Sequence, residues 1–345
     1  MARDRTIHQA AIIGFGGMGQ RHYAAYQRIG AEVIAICDAD SGKRDLLTST
    51  YPVVRAYAHA HELLAEEEVD IVSVATNGPG HAEVVIEAAR QGIKNIFCEK
   101  PLATNLEDAR RMIEVCAQQG SRLAVNHKHR WSPNHRKLKH LVDEGIIGPL
   151  RHLYVQCGSV GLGNMGVHFF DMMRFYTDSE VDWVIGVVDH TGTPNVRGPQ
   201  FADPAGYGII SFKNGVRAFI DTSEDTGVQY VFELVGTYGR VVIDELNDCW
   251  SIKARSPKER GAPLTRYVTP MQEIPFALET PYDIVAMTAS GLAELLSGGG
   301  ISCAGEDGYR VLEVVMAFHL SDERGQERVL LPLEGEALKK DVPIA

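Results

Sequence analysis

The chain of 345 residues is poor in several features that mark particular classes of protein. Positive charge is in deficit, because 34 lysines and arginines face 45 aspartates and glutamates, which gives a net charge of −11. Nucleic-acid-binding proteins carry a basic surface, so this balance argues against that function. No apolar run approaches the roughly 20 residues needed to cross a bilayer, and the N-terminus lacks the apolar core of a signal peptide. We therefore expect a cytoplasmic protein that binds neither nucleic acid nor membrane.

The chain also lacks the usual signatures of disulfide and metal sites. Its six cysteines are scattered and include no C-x-x-C pair, a pattern typical of reduced cysteines in a cytoplasmic protein. Its 13 histidines include no H-E-x-x-H or comparable ligand cluster. We therefore predict no metal ion.

What is present is an α/β pattern that changes character near residue 125. Up to that point short apolar runs alternate with amphipathic segments and are bounded by glycine, which predicts an N-terminal Rossmann domain with a doubly wound parallel sheet over 1–125. Beyond it, longer stretches alternate with a period of two, as an open, mostly antiparallel sheet with one buried face requires. We therefore expect a C-terminal α/β domain over 126–345. Residues 253–275 are predicted to be a loop.

The first strand leads into a glycine-rich turn of the G-x-G-x-x-G type, formed by Gly14, Phe15, Gly16, Gly17, Met18 and Gly19. The turn opens a predicted helix, whose N-terminal N–H groups bind a pyrophosphate. Asp38 ends the next strand, 24 positions after Gly14 (38 minus 14), where an acidic side chain accepts hydrogen bonds from the adenosine ribose. Since its charge repels a 2′-phosphate, the pattern favours NAD over NADP, although Lys43 and Arg44 follow closely.

Downstream motifs extend the pattern over nearly the whole chain. They are Ala75–His81, similar to T-P-N-x-x-H; Glu99-Lys100-Pro101, identical to E-K-P; Gly236-Thr237-Tyr238-Gly239; and Gly305-Glu306-Asp307-Gly308. Together they resemble those of the Gfo/Idh/MocA oxidoreductases, which include glucose–fructose oxidoreductase and inositol dehydrogenase. The resemblance implies a Rossmann domain followed by an α/β domain with a large open sheet, which binds substrate and forms the oligomer interface. It also implies hydride transfer between nicotinamide C4 and a secondary carbinol of a sugar, sugar derivative or cyclitol.

The resemblance assigns roles to residues at the C-terminal ends of the Rossmann strands. Lys100 is implied to contact the substrate hydroxyl and the cofactor ribose, and to share the handling of the carbinol proton. Thr76, Asn77 and His81 are expected to line the nicotinamide half of the cofactor cleft, with Glu99 reaching a cofactor hydroxyl or the backbone. A solvated lysine at a strand end is the alternative for Lys100, and the E-K-P context outweighs it.

The segment Gly161–Asp171 resembles the family's G-x-x-x-D-x-G-x-H-x-x-D pattern and places His168 on the catalytic histidine. An imidazole that titrates near neutrality can take the carbinol proton. The alternative is a core histidine beside two phenylalanines. Asp171 is a candidate for substrate binding that either orients the ring or caps and pairs within the helix. Asn164 is a second candidate for substrate binding and stands where the family has aspartate. An amide can hydrogen-bond a substrate hydroxyl, but it cannot share a proton or hold a positive imidazole. The substitution leaves open a simpler acid–base pair or an altered chemistry.

The segment just after the Rossmann domain, residues 126–133, resembles the family's R-[FYW]-x-P linker. The expected substrate is polyhydroxylated, and His129 and Arg130 are candidates for binding an anionic or hydroxylated group of it. Trp131 is a candidate for packing on a nicotinamide or sugar face. A charged hinge without ligand contacts is the alternative for each of them.

Three functions stay open at this point. The first is an NAD-dependent dehydrogenase, with Lys100 and His168 as the proton-handling pair. The second is a redox-neutral hydrolase or lyase that oxidises a sugar transiently on bound NAD. The third is a non-catalytic NAD-sensing regulator, which Asn164 favours and which Lys100 and His168 oppose. A homodimer or homotetramer is expected from the family's open sheet.

Overall fold

The computed structural model describes residues 7–51, 54–192, 199–265, 269–342 and 344. The chain divides into two compact units. The first comprises Met1–Trp131, Asp283–Leu312 and Gly335–Ala345, and the second comprises Ser132–Tyr282 and Glu313–Glu334. The first unit is thus assembled from three stretches of sequence, whereas the sequence analysis divided the chain once, at 125/126. The roles assigned to the two predicted domains stay predictions.

The first unit contains a six-stranded, fully parallel sheet in the order β3-β2-β1-β4-β5-β6. This is the order of a dinucleotide-binding Rossmann sheet, so the predicted α/β fold class is confirmed for this part. Strand β4 is buried at every position, as a sheet covered by helices on both faces requires. The strands are β1 (Gln9–Ile13), β2 (Glu32–Cys37), β3 (Arg55–Tyr57), β4 (Ile71–Val74), β5 (Asn95–Cys98) and β6 (Arg122–Val125).

The helices of this unit begin and end at residues whose chemistry suits those positions. Asp40 caps one helix by accepting hydrogen bonds from the N–H groups of Gly42 and Lys43, and Asn105 caps another through the N–H of Asp108. Gly120 ends that second helix in the left-handed conformation that favours glycine. The helices are α1 (Gly17–Arg28), α2 (Ser41–Thr50), α3 (Ala60–Glu66), α4 (His81–Arg90), α5 (Leu106–Gln119) and α8 (Ile284–Leu296).

The second unit is built on a nine-stranded sheet in the order β14-β13-β12-β11-β7-β10-β9-β8-β15. Every neighbouring pair is antiparallel except β7 and β10, so the prediction of a large, mostly antiparallel sheet is confirmed. The strands are β7 (Leu150–Gln156), β8 (Val181–Val188), β9 (Gly206–Phe212), β10 (Arg217–Asp221), β11 (Val231–Gly236), β12 (Gly239–Asp244), β13 (Cys249–Ala254), β14 (Gln272–Ile274) and β15 (Val329–Leu330).

Two helices lie in this unit and a third links it to the first. Ser132 caps α6 (Pro133–Asp143), whose first residue is a proline, the residue suited to a helix start. A π-helical turn, Leu162–Gly166, leads directly into α7 (Val167–Thr177). The chain passes from the first unit into the second within α9 (Gly305–Glu323). Among the described residues no helix is long and apolar enough to span a membrane.

One face of the nine-stranded sheet carries a row of exposed apolar side chains. Phe219 on β10 is paired in register with Ile209 on β9 and with Tyr154 on β7, so the three side chains share a face. Tyr154 is 50% exposed and Ile209 37%, and the rings of Tyr154 and Phe219 lie 5.7 Å apart. The alternation predicted for these strands therefore leaves apolar residues on both faces of the sheet.

Candidate active site

The glycine-rich turn lies between β1 and α1, and two of its glycines are required by packing. Gly14 has a φ of +92°, and a Cβ there would lie 2.6 Å from the backbone of Ala75. A Cβ on Gly19 would lie 2.1 Å from the carbonyl oxygen of Gly14. A Cβ on Gly16 or Gly17 would meet nothing within 4 Å, so this side of the turn is open to a ligand.

The start of α1 is prepared for an anion. The N-cap residue Gly16 offers no capping side chain, and the first turn holds no acidic residue. The unpaired N–H groups and the positive end of the helix dipole therefore remain available to a phosphate. The helix start thus matches the predicted pyrophosphate site.

A cavity of about 380 Å³ opens beside this turn, at the point of the sheet where the strand order reverses. Its volume falls within the range of small-molecule sites, and open α/β sheets bind ligands at this position. The Thr76 hydroxyl is buried without a hydrogen-bond partner, which leaves it available to a ligand group. The cavity is lined by Ile13, Gly14, Gly16, Cys37, Asp38, Ala39, Lys43, Ala58, His59, Ala60, Ala75, Thr76, Asn77 and Val84. The site therefore fits a dinucleotide.

Asp38 is held in a fixed position at the end of β2. Its carboxylate accepts hydrogen bonds from the N–H groups of Phe15, at 2.8 Å, and Asp40, at 3.0 Å. Lys43 lies 3.6 Å from the same carboxylate and also lines the cavity. The Arg44 guanidinium instead donates to the carbonyl oxygens of Asp38 and Ala39, each at 2.8 Å. Of the two cations that left NADP open, Lys43 is therefore the one placed to act on a ligand.

Glu99 and Lys100 follow β5, and the carboxylate is embedded in the unit. Glu99 is 3% exposed and accepts hydrogen bonds from His22 at 2.8 Å and from Asn126 at 2.6 Å. Burial raises the pKa of this carboxyl, but the His22 interaction, the Lys100 charge and the Asn126 hydrogen bond outweigh burial and hold the pKa at about 2. The neighbouring Lys100 is half-buried. An ionised carboxylate therefore stands directly before this lysine.

His81 connects Pro101, the last residue of the E-K-P turn, to Thr76 in the wall of the cavity. Its Nδ1 lies 2.8 Å from the carbonyl oxygen of Pro101, and its Nε2 lies 3.0 Å from that of Thr76. Burial lowers the pKa of this imidazole, against the opposing effect of the two carbonyls. A neutral ring carries one N–H and donates to one carbonyl at a time. The assignment of His81 to cofactor contact stays a prediction, while its observed contacts are with the two turns.

Trp131 makes its observed contacts within the first unit. Its indole N–H donates to Glu294 on α8 at 3.0 Å, and its ring packs on Phe97 with the centroids 5.7 Å apart. A Cβ on Gly291 would lie 3.0 Å from the ring, so helix and indole are in close contact. Trp131 is 2% exposed, and its packing on a nicotinamide or sugar face stays a prediction.

Arg130 and His129 were the other candidates in the linker. The Arg130 guanidinium donates to the carbonyl oxygen of Ser302 at 2.9 Å and lies 3.2 Å from the carboxylate of Asp307. His129 is 3% exposed. The charge of Arg130 is thus compensated within the first unit, which weakens the argument for an anionic substrate, and substrate binding by either residue stays a prediction.

The second unit carries His168 and Asn164. His168 is the second residue of α7 and is 4% exposed, and Asn164 lies in the π-helical turn before it. The carboxylate of Asp203 accepts hydrogen bonds from the N–H groups of Gly163 at 2.7 Å and Asn164 at 2.8 Å. A carboxylate therefore lies against Asn164 even though the sequence places an amide there.

Asp171 lies one turn after His168 on α7 and is fully buried. Its carboxylate is 4.0 Å from the guanidinium of Arg174, which itself donates to Glu180 at 2.7 Å. Of the two roles expected for Asp171, pairing within the helix is therefore observed. Its assignment as a substrate-binding residue stays a prediction.

The first unit thus brings Gly14, Gly16, Asp38, Thr76 and Asn77 around one cavity, and their assignment to the cofactor stays a prediction. Other members of the glycine turn have different surroundings. The Phe15 ring packs at 6.3 Å from Tyr23 and is 6% exposed. Lys100 belongs to the first unit and His168 to the second, and their shared handling of a proton stays a prediction.

Sequence reasoning missed three side chains in these surroundings. Lys43 was seen only as a residue that follows Asp38, while His22 and Asp203 were not singled out. For His22 the signal was its position three residues after Gly19, on the buried face of α1. For Asp203 the one signal was the Asp-Pro dipeptide, typical of a turn.

Comparison with known proteins agrees with this site. Residues 8–127 match the model of an oxidoreductase family with an NAD-binding Rossmann fold, and residues 154–242 match the Gfo/Idh/MocA C-terminal domain. Inositol 2-dehydrogenase 3 of Saccharopolyspora erythraea is 31% identical over 68% of this chain and 72% of its own. D-apiose dehydrogenase of Paraburkholderia graminis is 27% identical over 95% of this chain and 91% of its own.

Among solved structures, a levoglucosan dehydrogenase in complex with NADH and levoglucosan superposes with a TM-score of 0.81. It is 20% identical, and the match covers 95% of this chain and all of that one. At this level of identity the likeness concerns the fold, and it extends over both units.

Proposed function

This chain belongs to the Gfo/Idh/MocA family of oxidoreductases, whose N-terminal domain is an NAD-binding Rossmann fold, and from this premise we propose the following function. The protein is an NAD-dependent dehydrogenase that acts on a secondary carbinol of a sugar, sugar derivative or cyclitol. Relatives named for inositol and D-apiose support this substrate class. When bound, NAD supplies the hydride acceptor.

The observation that carries the proposal is the position of Lys100. It follows β5 at the C-terminal edge of the parallel sheet, next to a buried, ionised Glu99. Through His81, the turn that contains Lys100 is linked to Thr76 in the wall of the cofactor cavity. A lysine fixed at a ligand-binding edge can donate to a substrate oxygen or take its proton. His168 is proposed as its partner in handling that proton.

The pyrophosphate is assigned to the open side of the glycine turn and the adenosine ribose to Asp38. Thr76 and Asn77 serve the nicotinamide half of the cavity, where the buried Thr76 hydroxyl has a free hydrogen-bonding capacity. Asp38 repels a 2′-phosphate, so NAD is the preferred cofactor.

The test is a panel of myo-inositol, D-apiose, levoglucosan and related polyols, with NAD⁺ and with NADH plus the corresponding ketones. Formation or loss of NADH absorbance is measured for the wild type, Lys100→Met and His168→Asn. Both variants are expected to lose at least about 100-fold in kcat/KM, the typical contribution of a proton-transfer residue, while NADH fluorescence still reports binding. Full activity in Lys100→Met would refute the role of this lysine.

Asn164 favours one alternative, a regulator that senses NAD without turning over a substrate. Such a protein would bind NADH in the fluorescence titration and leave the whole polyol panel unchanged. Lys100→Met would then have no effect on its function. A redox-neutral hydrolase or lyase would instead retain NAD through dialysis and release no NADH during turnover.

We further propose that the protein is a homodimer or homotetramer joined through the exposed face of the nine-stranded sheet. The row formed by Ile209, Phe219 and Tyr154 supports this, since monomers rarely leave adjoining large apolar side chains exposed. Light scattering on Tyr154→Lys/Ile209→Lys should give the mass of the monomer. An assembly of unchanged mass would place the interface elsewhere.

A further inference from the structure

His22 lies inside the first unit, on the same helix whose N-terminus forms the proposed pyrophosphate site. Buried residues recur along α1 at Gly19, His22, Ala25 and Tyr26, which is the face that packs on the sheet. His22 is fully buried, and its ring lies 5.5 Å from that of Phe97. An apolar side chain would fill this position more cheaply, because burying a polar group is unfavourable unless it is hydrogen-bonded. The presence of histidine therefore calls for a specific contact.

That contact is with Glu99. The Nε2 atom of His22 lies 2.8 Å from Oε1 of Glu99, and an ionised carboxylate is only an acceptor. The ring must therefore carry a proton on Nε2 and donate it. Nδ1 of His22 has no hydrogen-bond partner within the described chain, so the contact with Glu99 is the hydrogen bond that explains the imidazole.

Glu99 in turn is the residue directly before Lys100. Its other oxygen, Oε2, accepts a hydrogen bond from the backbone N–H of Lys100 at 3.3 Å. One carboxylate thus connects the imidazole of α1 to the main chain of the proposed catalytic lysine. Asn126, the residue after β6, donates to the same Oε1 atom as His22, and its Nδ2 lies 3.4 Å from Nε2 of His22.

Helix α1 connects the proposed pyrophosphate site, at its N-terminus, to the turn that holds Lys100, through His22. His22 lies six positions after the N-cap Gly16 (22 minus 16), which corresponds to about 9 Å along the helix axis. A helix is stiff over this length, so a ligand at its N-terminus and a turn attached at His22 keep a fixed separation. Since displacement of a reacting group by 1 Å can lower the rate about 100-fold, a fixed separation of cofactor and lysine matters for catalysis.

We propose that His22 is a positioning residue, which holds Glu99 and thereby keeps Lys100 at a fixed place relative to the cofactor seated on α1. This inference rests on the proposed function, in which Lys100 lies beside the nicotinamide ribose and handles the proton. His22 itself touches neither substrate nor cofactor. Its removal should therefore lower kcat and leave the affinity for NADH unchanged.

The variants are chosen by the reach of the side chain. His22→Leu removes the donor, and His22→Asn keeps a polar group too short to reach Glu99. His22→Gln places an amide N–H where Nε2 lies and should restore the contact. The matched control is Tyr26→Phe, because Tyr26 is fully buried on the same face and its hydroxyl bonds Ser73 at 2.8 Å. That variant loses one buried hydrogen bond without touching Glu99.

A second measurement does not depend on turnover. The folded, full-length protein is treated with acetic anhydride and then digested, and acetylation of the Lys100 amine is quantified by mass spectrometry of the peptides. It is measured with and without saturating NADH, whose binding is checked by fluorescence. We expect NADH to protect Lys100 in the wild type, Tyr26→Phe and His22→Gln. In His22→Leu and His22→Asn the ratio of the two labelling rates should fall toward one, with kcat reduced about 10- to 100-fold.

The outcomes separate the inference from the function on which it rests. If NADH does not protect Lys100 in the wild type, the lysine is not beside the cofactor and the proposed function fails. If the wild type is protected and both His22→Leu and His22→Asn are protected equally well, the positioning role alone is overturned. Loss of NADH affinity in these variants would also overturn it, since His22 would then act on the cofactor site. Should His22→Leu not fold, the comparison of His22→Asn with His22→Gln decides.

Discussion

Replacing Glu99 by glutamine removes a buried charge whose contribution to stability depends on pH. The carboxyl of Glu99 has a pKa of about 2 against an ordinary value of 4.5. A difference of about 2.5 units corresponds to about 3 kcal/mol of differential stabilisation of the charged form. The glutamine amide would in addition turn a donor toward His22 or Asn126, which costs about 1–3 kcal/mol. Above pH 5.5, we therefore expect Glu99→Gln to lower the free energy of unfolding by the sum of these two contributions, about 4–6 kcal/mol.

The sign of the pH dependence follows from the direction of the shift. A carboxyl whose pKa is depressed in the folded state contributes its full stabilisation above the unfolded-state pKa, and loses it as pH falls toward the folded-state pKa. For Glu99 this window extends from about pH 4.5 down to about 2. The stability difference between wild type and Glu99→Gln should therefore be constant from pH 5.5 to 8 and shrink below pH 4.5.

The assay is urea unfolding of both proteins at several pH values, followed by fluorescence and circular dichroism. Glu114→Gln is the control, because Glu114 is an exposed partner of Arg110 at 3.9 Å on α5 and such surface pairs contribute about 0.5 kcal/mol. A difference for Glu99→Gln as small as that of the control would refute the argument. So would a difference that persists unchanged to pH 3.5.

Three further predictions concern the cofactor cavity and its walls. Asp38→Ala should raise the affinity for NADPH relative to NADH by about tenfold or more. Adding Lys43→Ala should reverse part of this gain, because it removes the cation beside the cavity. Fluorescence titration with both cofactors measures the two affinities. Gly14→Ala should abolish tight NADH binding, because of its positive φ and the collision with the backbone after β4, whereas Gly261→Ala, outside the glycine turn and with open space around it, should bind normally. Because burial lowers the pKa of His81, the folded protein loses stability as the pH falls below about 6.5. His81→Gln should remove this loss, and a pH profile of the melting temperature that does not change would contradict the lowered pKa.

The regular elements of the first unit were largely predictable because each carries its own local signal. The pattern of residues 41–50 predicts a helix, which is observed as α2 (Ser41–Thr50). The apolar run over 122–125 predicts a strand, which is observed as β6. Apolar runs bounded by capping residues and glycine define such elements without reference to distant parts of the chain.

Short elements escaped the same reasoning. Strand β3 has three residues and α3 has seven, too few for a period to be recognised. Strand β14 lies within the predicted loop over 253–275, and its three residues are ordered by pairing with β13. Tertiary pairing, which leaves no local pattern, decides the conformation of these segments.

The assembly of the first unit from separate stretches was not predictable for a related reason. Helix α8 follows strands β7 to β14 in sequence, yet Trp131 donates to Glu294 on that helix. The hydrogen bond joins residues 163 positions apart. Because the sequence does not reveal where this helix packs, the contacts of Trp131 with it could not be predicted.

The same limit applies to Asn164, the residue on which the choice between enzyme and regulator depended. The sequence shows an amide where the family motif has a carboxylate, and this suggests that the segment has lost a negative charge. In the structure the carboxylate of Asp203 accepts hydrogen bonds from the N–H groups of Gly163 and Asn164, which lie 40 and 39 positions away in the chain. It stands at the start of the helical segment that carries His168, where a negative charge is stabilised by the helix dipole. The charge around a site is set by all the residues that the fold brings together there, not by one position of a motif. The step from Asn164 to a protein without catalysis is therefore weaker than the motif alone implies.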